Sequence, residues 1–177
     1  LIHWPLPDPE YKDWKQLDKE TWRAMEELYQ AGKVRAIGLS NFLPHHIDNI
    51  LEDCTVRPAV DQIEYHPGYS QEAAVQYCKE RNILVQAWSP IGRQRVLEEP
   101  LVLELAGKYA VSPAQICLKF AVQSGIIPLP NSSSVERMKE NLDLYSFEME
   151  REDIWRLATM PQAGWSGEHP DRERVRI

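Results

Sequence analysis

Short apolar runs alternate along this chain with stretches in which apolar residues recur at helical spacing. The runs begin near Leu1, Val34, Ala59, Leu84 and Ile126, and each of them closes at a polar turn, a proline or a glycine. Runs of this length predict buried strands, and the stretches between them predict amphipathic helices. Strand followed by helix, five times over, is typical of parallel βαβ units.

The apolar spacing also predicts where the helices lie. They are expected over residues 18–31, 44–51, 71–81, 100–108, 113–124, 133–142 and 152–158. The first would begin at the N-cap Asp18 and end before Gly32, which stands where a C-cap glycine is common. Its buried face would comprise Trp22, Met25, Leu28 and Tyr29.

Two of the later helices carry a capping-box signature at their start. Ser112 is followed by Gln115 after three residues, and Ser133 is followed by Glu136 at the same spacing. In such a box the serine accepts from one orphan amide and the Gln or Glu accepts from another. Residues 159–177, after the last helix, are expected to form an irregular tail.

The spacing of the strand starts favours a barrel. They lie 33, 25, 25 and 42 residues apart, whereas a complete βα barrel has eight units in roughly 250 residues. An open doubly wound sheet is the alternative, but no Gly-x-Gly-x-x-Gly turn follows a strand, and polar residues follow every strand. We therefore predict an α/β fold: a (β/α)8 TIM barrel of which about five C-terminal units are present, with residues 1–177 as a single domain.

Composition and charge narrow the class of protein. A formal net charge of −7 argues against nucleic acid as the main partner, and the apolar runs are too short to span a bilayer. Cys54, Cys78 and Cys117 have neither metal-site nor disulfide-framework spacing, so no metal site is predicted. Unpaired cysteines fit a reducing cytoplasm.

Polar and aromatic residues gather at the predicted ends of the strands, where a βα barrel builds its active site. They are His3 and Trp4, Ser40 and Asn41, Asp61 and Gln62 with Tyr65, Trp88 and Ser89, and Asn131 to Ser133. The set holds no carboxylate pair for glycoside hydrolysis. Amides and hydroxyls can hold a carboxamide, an indole can stack on a pyridine ring, and helix starts bind phosphates. These residues indicate a bound cofactor. His45 and His46, at the start of a predicted helix, are expected to be solvated, and His66 is assigned no role.

Five motifs, in this order, resemble those of the aldo-keto reductases. They are Leu1–Pro5 (LIHWP), Gly38–Phe42 (GLSNF), Gln62–Pro67 (QIEYHP), Ala87–Gly92 (AWSPIG), and Ile127–Pro130 followed by Arg137–Asn141 (RMKEN). The similarity extends from Leu1 to about Ala158. It implies an eight-stranded βα barrel that binds NADP(H) without a Rossmann motif and reduces aldehydes and ketones by hydride transfer.

The resemblance also implies roles for individual residues. His3 matches the family's catalytic histidine, which orients the substrate carbonyl, and Trp4 matches a residue that lines the substrate pocket. Ser40, Asn41 and Gln62 match the residues that hold the nicotinamide carboxamide.

The remaining matches concern the rest of the cofactor. Trp88 matches the aromatic residue that stacks on the nicotinamide, and Ser89 and Ile91 match the loop around the pyrophosphate. The adenosine end of the cofactor is matched by Ser132, Arg137, Glu140 and Asn141.

The departures from the family pattern change what we expect. The family's catalytic tyrosine, lysine and aspartate belong to three earlier βα units, so the chain as given is expected to be inactive alone. Asn131 stands where a lysine usually meets the ribose phosphate, and some tolerance of NAD(H) beside NADP(H) follows. Asp61 stands where asparagine is common.

The leading interpretation is a cytoplasmic NADPH-dependent reductase of small carbonyl compounds, monomeric as a complete barrel. Five strands alone would leave two open edges. The alternative, if the chain is complete at 177 residues, is a non-catalytic nucleotide- or partner-binding module. A phosphate-binding isomerase or lyase barrel is a third reading, but it lacks the strand-end Lys or Glu that such chemistry needs.

Overall fold

A computed structural model describes residues 1–5 and 12–172 of the chain. The helices are α1 (Trp14–Gln30), α2 (Pro44–Leu51), α3 (Glu72–Glu80), α4 (Pro100–Tyr109), α5 (Pro113–Gln123), α6 (Val135–Leu142) and α7 (Arg151–Thr159), and a 3-10 turn spans Gly92–Gln94. The strands are β1 (Leu39–Ser40), β2 (Val60–Glu64), β3 (Leu84–Trp88) and β4 (Ile127–Pro128). Strands and helices alternate as predicted up to β3.

The chain forms two compact units. The first unit comprises Leu1–Ile63, Glu72–Val85 and the residues from Gly167 onward, and the second comprises Glu64–Gln71 and Gln86–Ser166. None of the helices in the described ranges is both long and apolar enough to cross a membrane.

The strands form a parallel sheet in the order β1-β2-β3-β4. Ser40 pairs with Gln62 in the first unit, and Ala87 pairs with Pro128 in the second. Parallel pairing with intervening helices confirms the α/β class.

Two of the predicted strands are shorter in the structure. The run at 1–5 is reduced to a single bridge between Ile2 and Leu39, since Pro5, which has no N–H to donate, follows closely. The run that begins at Val34 becomes strand only at Leu39–Ser40. Just before it, a Cβ on Gly38 would lie 2.6 Å from the Val60 carbonyl oxygen, so glycine permits the close approach of the two backbones.

Helix α1 starts earlier than predicted and buries another face. It begins at Trp14 rather than after Asp18, and its buried residues are Asp18, Trp22 and Glu26. The side chains of Leu28 and Tyr29 are 49% and 38% exposed, so the prediction is wrong for these two residues, while Trp22 is buried and Met25 half-buried. Residues four apart share a helix face. The carboxyl groups of Asp18 and Glu26 therefore lie on the same buried face of α1 as Trp22.

The two inward acids of α1 differ in their partners. The Glu26 carboxylate accepts from the N–H groups of Thr55 and Val56 at 2.6 and 2.7 Å. Asp18 Oδ2 has no hydrogen-bond partner within residues 1–5 and 12–172, and burial raises the pKa of Asp18 to about 7. A long-range partner, invisible to helical periodicity, explains why Glu26 is tolerated inside.

The helices of the second unit follow the sequence signals closely. Ser112 and Gln115 form the predicted capping box of α5, with hydrogen bonds of 3.1 and 3.2 Å. The predicted cap of α6 is displaced by one residue: Ser134 rather than Ser133 accepts from the Arg137 N–H. The two adjacent serines compete for the same role, and spacing alone does not separate them.

Candidate functional site

Four of the predicted site residues come together in the first unit, where β1 and β2 end. The Ser40 hydroxyl and the Asn41 N–H both donate to the Gln62 carbonyl at 2.9 Å. The Asn41 side-chain amide donates to the main-chain carbonyl of His3 at 2.9 Å and to Ser40 Oγ at 3.1 Å. Asn41 has a φ of +64°, a backbone conformation that asparagine tolerates better than most residues. One amide thus joins His3 to Ser40.

His3 and Trp4 differ in how much surface they offer. The His3 side chain is exposed, whereas Trp4 is 7% exposed. Their ring centroids lie 6.3 Å apart with the planes tilted by 55°. The imidazole is therefore accessible to a reactant, while only a small part of the Trp4 indole can face one.

Asp61 lies beneath this cluster and is completely buried. The Phe42 N–H donates to Asp61 Oδ1 over a long 3.4 Å, and Asp61 Oδ2 has no hydrogen-bond partner in the described part of the chain. Burial raises the pKa of Asp61 to about 8. The carboxyl group is thus held neutral near pH 7, which makes it a close substitute for the asparagine common at this position.

We expect Asp61→Asn to stabilise the protein increasingly as the pH rises from 5 to 8. The unfolded chain loses the Asp61 proton near its ordinary pKa of 3.8, while the folded protein keeps it to about pH 8. The free energy of unfolding of the wild type therefore falls as the pH rises through this window. The variant has no carboxyl group at position 61, so its free energy of unfolding does not fall for this reason. Urea denaturation should show the gap between them widening by about 2–4 kcal/mol. A gap that is constant with pH would contradict a neutral buried Asp61.

The second unit carries the predicted aromatic residue and the loop after it. Trp88 is the last residue of β3 and is half-buried, and the Arg93 guanidinium carbon lies 5.9 Å from its ring centroid. Ser89 has a φ of +51°, its hydroxyl accepts from the Arg93 N–H at 3.0 Å, and its carbonyl accepts from the Gly92 N–H at 2.8 Å. Ile91, between them, is half-buried. Trp88 is therefore followed by a tight turn that carries the guanidinium of Arg93.

The loop after Trp88 has an unusual backbone. Gly92, Arg93 and Gln94 follow one another with φ values of 54°, 52° and 71°. Runs of N–H groups in turns of this kind can form anion-binding concavities. The sequence analysis missed Arg93; the signal that could have found it is a cationic residue within a glycine-containing turn directly after an aromatic strand end.

The residues predicted for the adenosine end lie in and before α6. Asn131 and Arg137 are exposed, and Ser132, Glu140 and Asn141 are half-buried. Ser132 Oγ accepts from the Ser134 N–H at 3.2 Å, which shapes the turn into the helix. Within the described ranges Arg137 makes no ion pair, so its guanidinium is available to an anion.

Three other side chains considered from the sequence are buried. Tyr65 stacks on Phe120 with ring centroids 5.2 Å apart. His66 Nδ1 donates to the Pro67 carbonyl at 2.9 Å, and His66 is completely buried. His46 is completely buried as well, so the prediction that it is solvated is wrong: it stands four residues before Ile50 and shares that inward face of α2.

A second polar cluster was not found from the sequence. Both carboxylate oxygens of the buried Glu64 accept from Ser166, one from its N–H at 2.9 Å and the other from its hydroxyl at 2.7 Å. His66 Nε2 lies 3.4 Å from Glu64 Oε1. Because these residues are about a hundred positions apart, no local pattern connects them.

Comparison with known proteins places these motifs in a family. A family model described as the Aldo/keto reductase family matches residues 1–160. Glyoxal reductase of Bacillus subtilis (strain 168) is 39% identical over 171 residues, which are 97% of this chain and 59% of that protein. The chain thus spans about three-fifths of the length of the relatives it matches.

Solved structures give the same result. The crystal structure of Gox0644 in its apo form matches with a TM-score of 0.88 at 34% identity, covering 98% of this chain and 62% of that chain. A mutant of Gox0644 in complex with NADPH matches with a TM-score of 0.87 at the same identity and coverage. The chain belongs to the aldo/keto reductase family.

Proposed function

We propose that this chain is the cofactor-binding part of an oxidoreductase that reduces aldehydes and ketones with NADPH. The observation that carries the proposal is the Asn41 amide, which ties the His3 main chain to Ser40 at the ends of the strands. One imidazole therefore stands beside a set of hydroxyl and amide groups. The related glyoxal reductase and the NADPH-bound Gox0644 mutant support the assignment.

The residues of each unit fit different parts of nicotinamide adenine dinucleotide phosphate (NADPH). In the first unit Ser40, Asn41 and Gln62 offer hydroxyl and amide groups, which match the donors and acceptors of a carboxamide. In the second unit the half-buried indole of Trp88 suits a pyridine ring, and the exposed guanidinium of Arg137 suits a phosphate. When bound, NADPH supplies the hydride.

The chain's own residues would bind and orient the substrate. The exposed His3 imidazole donates a hydrogen bond to the carbonyl oxygen, which polarises the carbonyl and fixes its direction. Trp4 contributes an apolar wall beside it, and the Asn41 hydrogen bond holds the backbone from which both side chains project. Ser89 and Ile91 would shape the pyrophosphate loop, and Ser132, Glu140 and Asn141 the adenosine end.

We also propose the context in which these residues work. Residues 1–177 would be the C-terminal part of a (β/α)8 barrel and a single domain. A protein of these residues alone would lack the family's tyrosine, lysine and aspartate and be inactive. The complete barrel would be a cytoplasmic monomer. The parallel sheet and the length of the relatives support the barrel, and the free thiols of the cysteines suit a reducing compartment.

Trp88→Ala should weaken NADPH binding by about two- to twelvefold, because stacking on an aromatic ring contributes roughly 0.5–1.5 kcal/mol beyond buried area. The measurement is a titration of the natural full-length protein with NADPH, followed by quenching of tryptophan fluorescence. Trp155→Ala is the matched control, because this indole in α7 is 65% exposed; it should leave the affinity for NADPH unchanged. If Trp88→Ala keeps the affinity and the quench of the wild type, Trp88 is a structural residue and not a stacking one.

A further inference from the structure

The turn after β1 is fixed residue by residue through contacts within the first unit. The Asn41 side chain donates to the His3 carbonyl, the Phe42 N–H donates to Asp61, and the Leu43 N–H donates to His46 Nδ1 at 3.0 Å. Leu43 is the N-cap residue of α2. The hydrogen bond to His46 therefore joins the end of the turn to the first turn of the helix, in the place where a capping box has Gln or Glu.

The His46 imidazole is held rigidly where it makes this contact. Its ring is completely buried and packs edge-on against Trp14 and Phe42, with centroids 5.1 and 5.9 Å apart. Since Nδ1 accepts from the Leu43 N–H, the proton of the neutral ring lies on Nε2. Nε2 stands 2.9 Å from Asp171 Oδ1, off the direction of a regular hydrogen bond. A carboxylate there favours the same tautomer.

The surroundings of His46 keep the ring neutral. The titratable groups around it are His45, His169 and Asp171. Burial, followed by the neighbouring His45, lowers the pKa of His46 to about 4, although Asp171 acts in the opposite direction. Nδ1 consequently remains an acceptor near pH 7.

The same cluster could be read as a metal site, but its hydrogen bonding opposes this. One ligand atom each from His45, His46 and Asp171 lies within 4.8 Å of the others. A metal on His46 Nε2 would require the proton on Nδ1, because a ligating imidazole donates from its other nitrogen. The Leu43 N–H already points at Nδ1, so the two donors would meet head-on.

We propose that His46 is a positioning residue for Ser40 and Asn41, and that Asp171 fixes the tautomer in which it does so. This inference rests on the proposed function, in which Ser40 and Asn41 hold the nicotinamide carboxamide. The left-handed backbone of Asn41 lies two residues before the Leu43 amide, and such conformations persist only where their surroundings determine them. His46 supplies that constraint through Leu43 and touches neither cofactor nor substrate itself.

Two substitutions distinguish the role of His46 as a hydrogen-bond acceptor from its role in packing. His46→Leu retains an apolar side chain of similar size but has no acceptor for the Leu43 N–H. In His46→Gln the side-chain oxygen can accept from that N–H, as in a capping box. In the natural full-length protein we expect His46→Leu to raise the dissociation constant of NADP⁺ about tenfold and His46→Gln to stay within about threefold of wild type.

Binding of a second ligand, which lacks the nicotinamide, tests whether His46 acts by positioning Ser40 and Asn41. Adenosine 2′,5′-bisphosphate has no nicotinamide, so each variant should bind it as the wild type does, by titration calorimetry. Asp48→Asn, a change in an exposed residue of α2 whose carboxylate accepts from the Tyr77 hydroxyl, is the control and should leave both affinities unchanged. Asp171→Ala should weaken NADP⁺ binding about threefold and should add nothing to His46→Leu in the double variant, since both act through one ring.

The outcomes are distinct. If the wild type does not bind NADP⁺, the proposed function fails and this inference fails with it. If the wild type binds but His46→Leu equals it, or loses affinity for both ligands equally, only the positioning role is overturned. Selective loss of NADP⁺ affinity in His46→Leu, restored in His46→Gln, supports it.

Discussion

His3→Ala in the natural full-length protein is expected to lower kcat for aldehyde reduction by about 100-fold or more, while the dissociation constant of NADPH changes less than threefold. A positioned proton donor or hydrogen-bonding acid typically contributes about 10²–10⁴-fold to the rate. The His3 imidazole is exposed, and the hydrogen bond from Asn41 ends on the main-chain carbonyl of His3 rather than on its ring. The substitution therefore removes the imidazole without removing the contact that holds the backbone.

Steady-state and binding measurements on the same samples make this test specific. His45→Ala, which also removes an exposed imidazole from the first unit, should keep the wild-type kcat. The result that would contradict the role of His3 is a variant that keeps kcat within a few-fold. A parallel loss of NADPH affinity would instead mark His3 as part of the cofactor site.

Coenzyme choice provides the second large effect. Asn131→Lys is expected to raise the NADPH-to-NADH ratio of kcat/KM about tenfold or more, and Arg137→Ala is expected to collapse it. A 2′-phosphate carries close to two negative charges, and a hydrogen bond to a charged group contributes about 1.5–3 kcal/mol, or roughly 10- to 150-fold. Asn131 and Arg137 are both exposed, so either position can present a cation to the phosphate.

The surroundings of Arg137 explain why NADPH should still be preferred in the wild type. Its N–H is held by the N-cap Ser134 at 3.3 Å, which fixes the residue in the first turn of α6. A guanidinium can bind phosphate in a forked manner, and the serines before the helix add donors. Lys139→Ala, in the same helix but without an assigned role, is the control. If neither Asn131→Lys nor Arg137→Ala moves the ratio, the adenosine end is bound elsewhere.

Local signals in the sequence predicted the elements that local forces determine. The capping box of Ser112 and Gln115 needs only neighbours in the chain, and it is present as predicted. The strand predicted near Leu84 is present and ends at Trp88. The cluster of Ser40, Asn41 and Gln62 was also predictable, because the ends of parallel strands meet at one edge of a sheet.

Contacts between distant residues could not be predicted in this way. Glu26 is buried because the N–H groups of Thr55 and Val56 satisfy it, and Glu64 is buried because Ser166 does. A single sequence gives the polarity of each side chain but not its partner. The same limit hid His46, whose burial depends on packing against residues that lie before and after it in the chain.

The measurement that tests the central claim most directly is the oxidation of NADPH by the natural full-length protein in the presence of a panel of aldehydes and ketones, with the alcohol product quantified. The proposed function predicts that one equivalent of alcohol forms for each NADPH consumed, and that a protein made of residues 1–177 alone consumes none. A full-length protein that binds NADPH but reduces no member of the panel would contradict carbonyl reduction and favour a non-catalytic nucleotide-binding role. Normal turnover by verified 177-residue material would contradict the need for the family's tyrosine, lysine and aspartate.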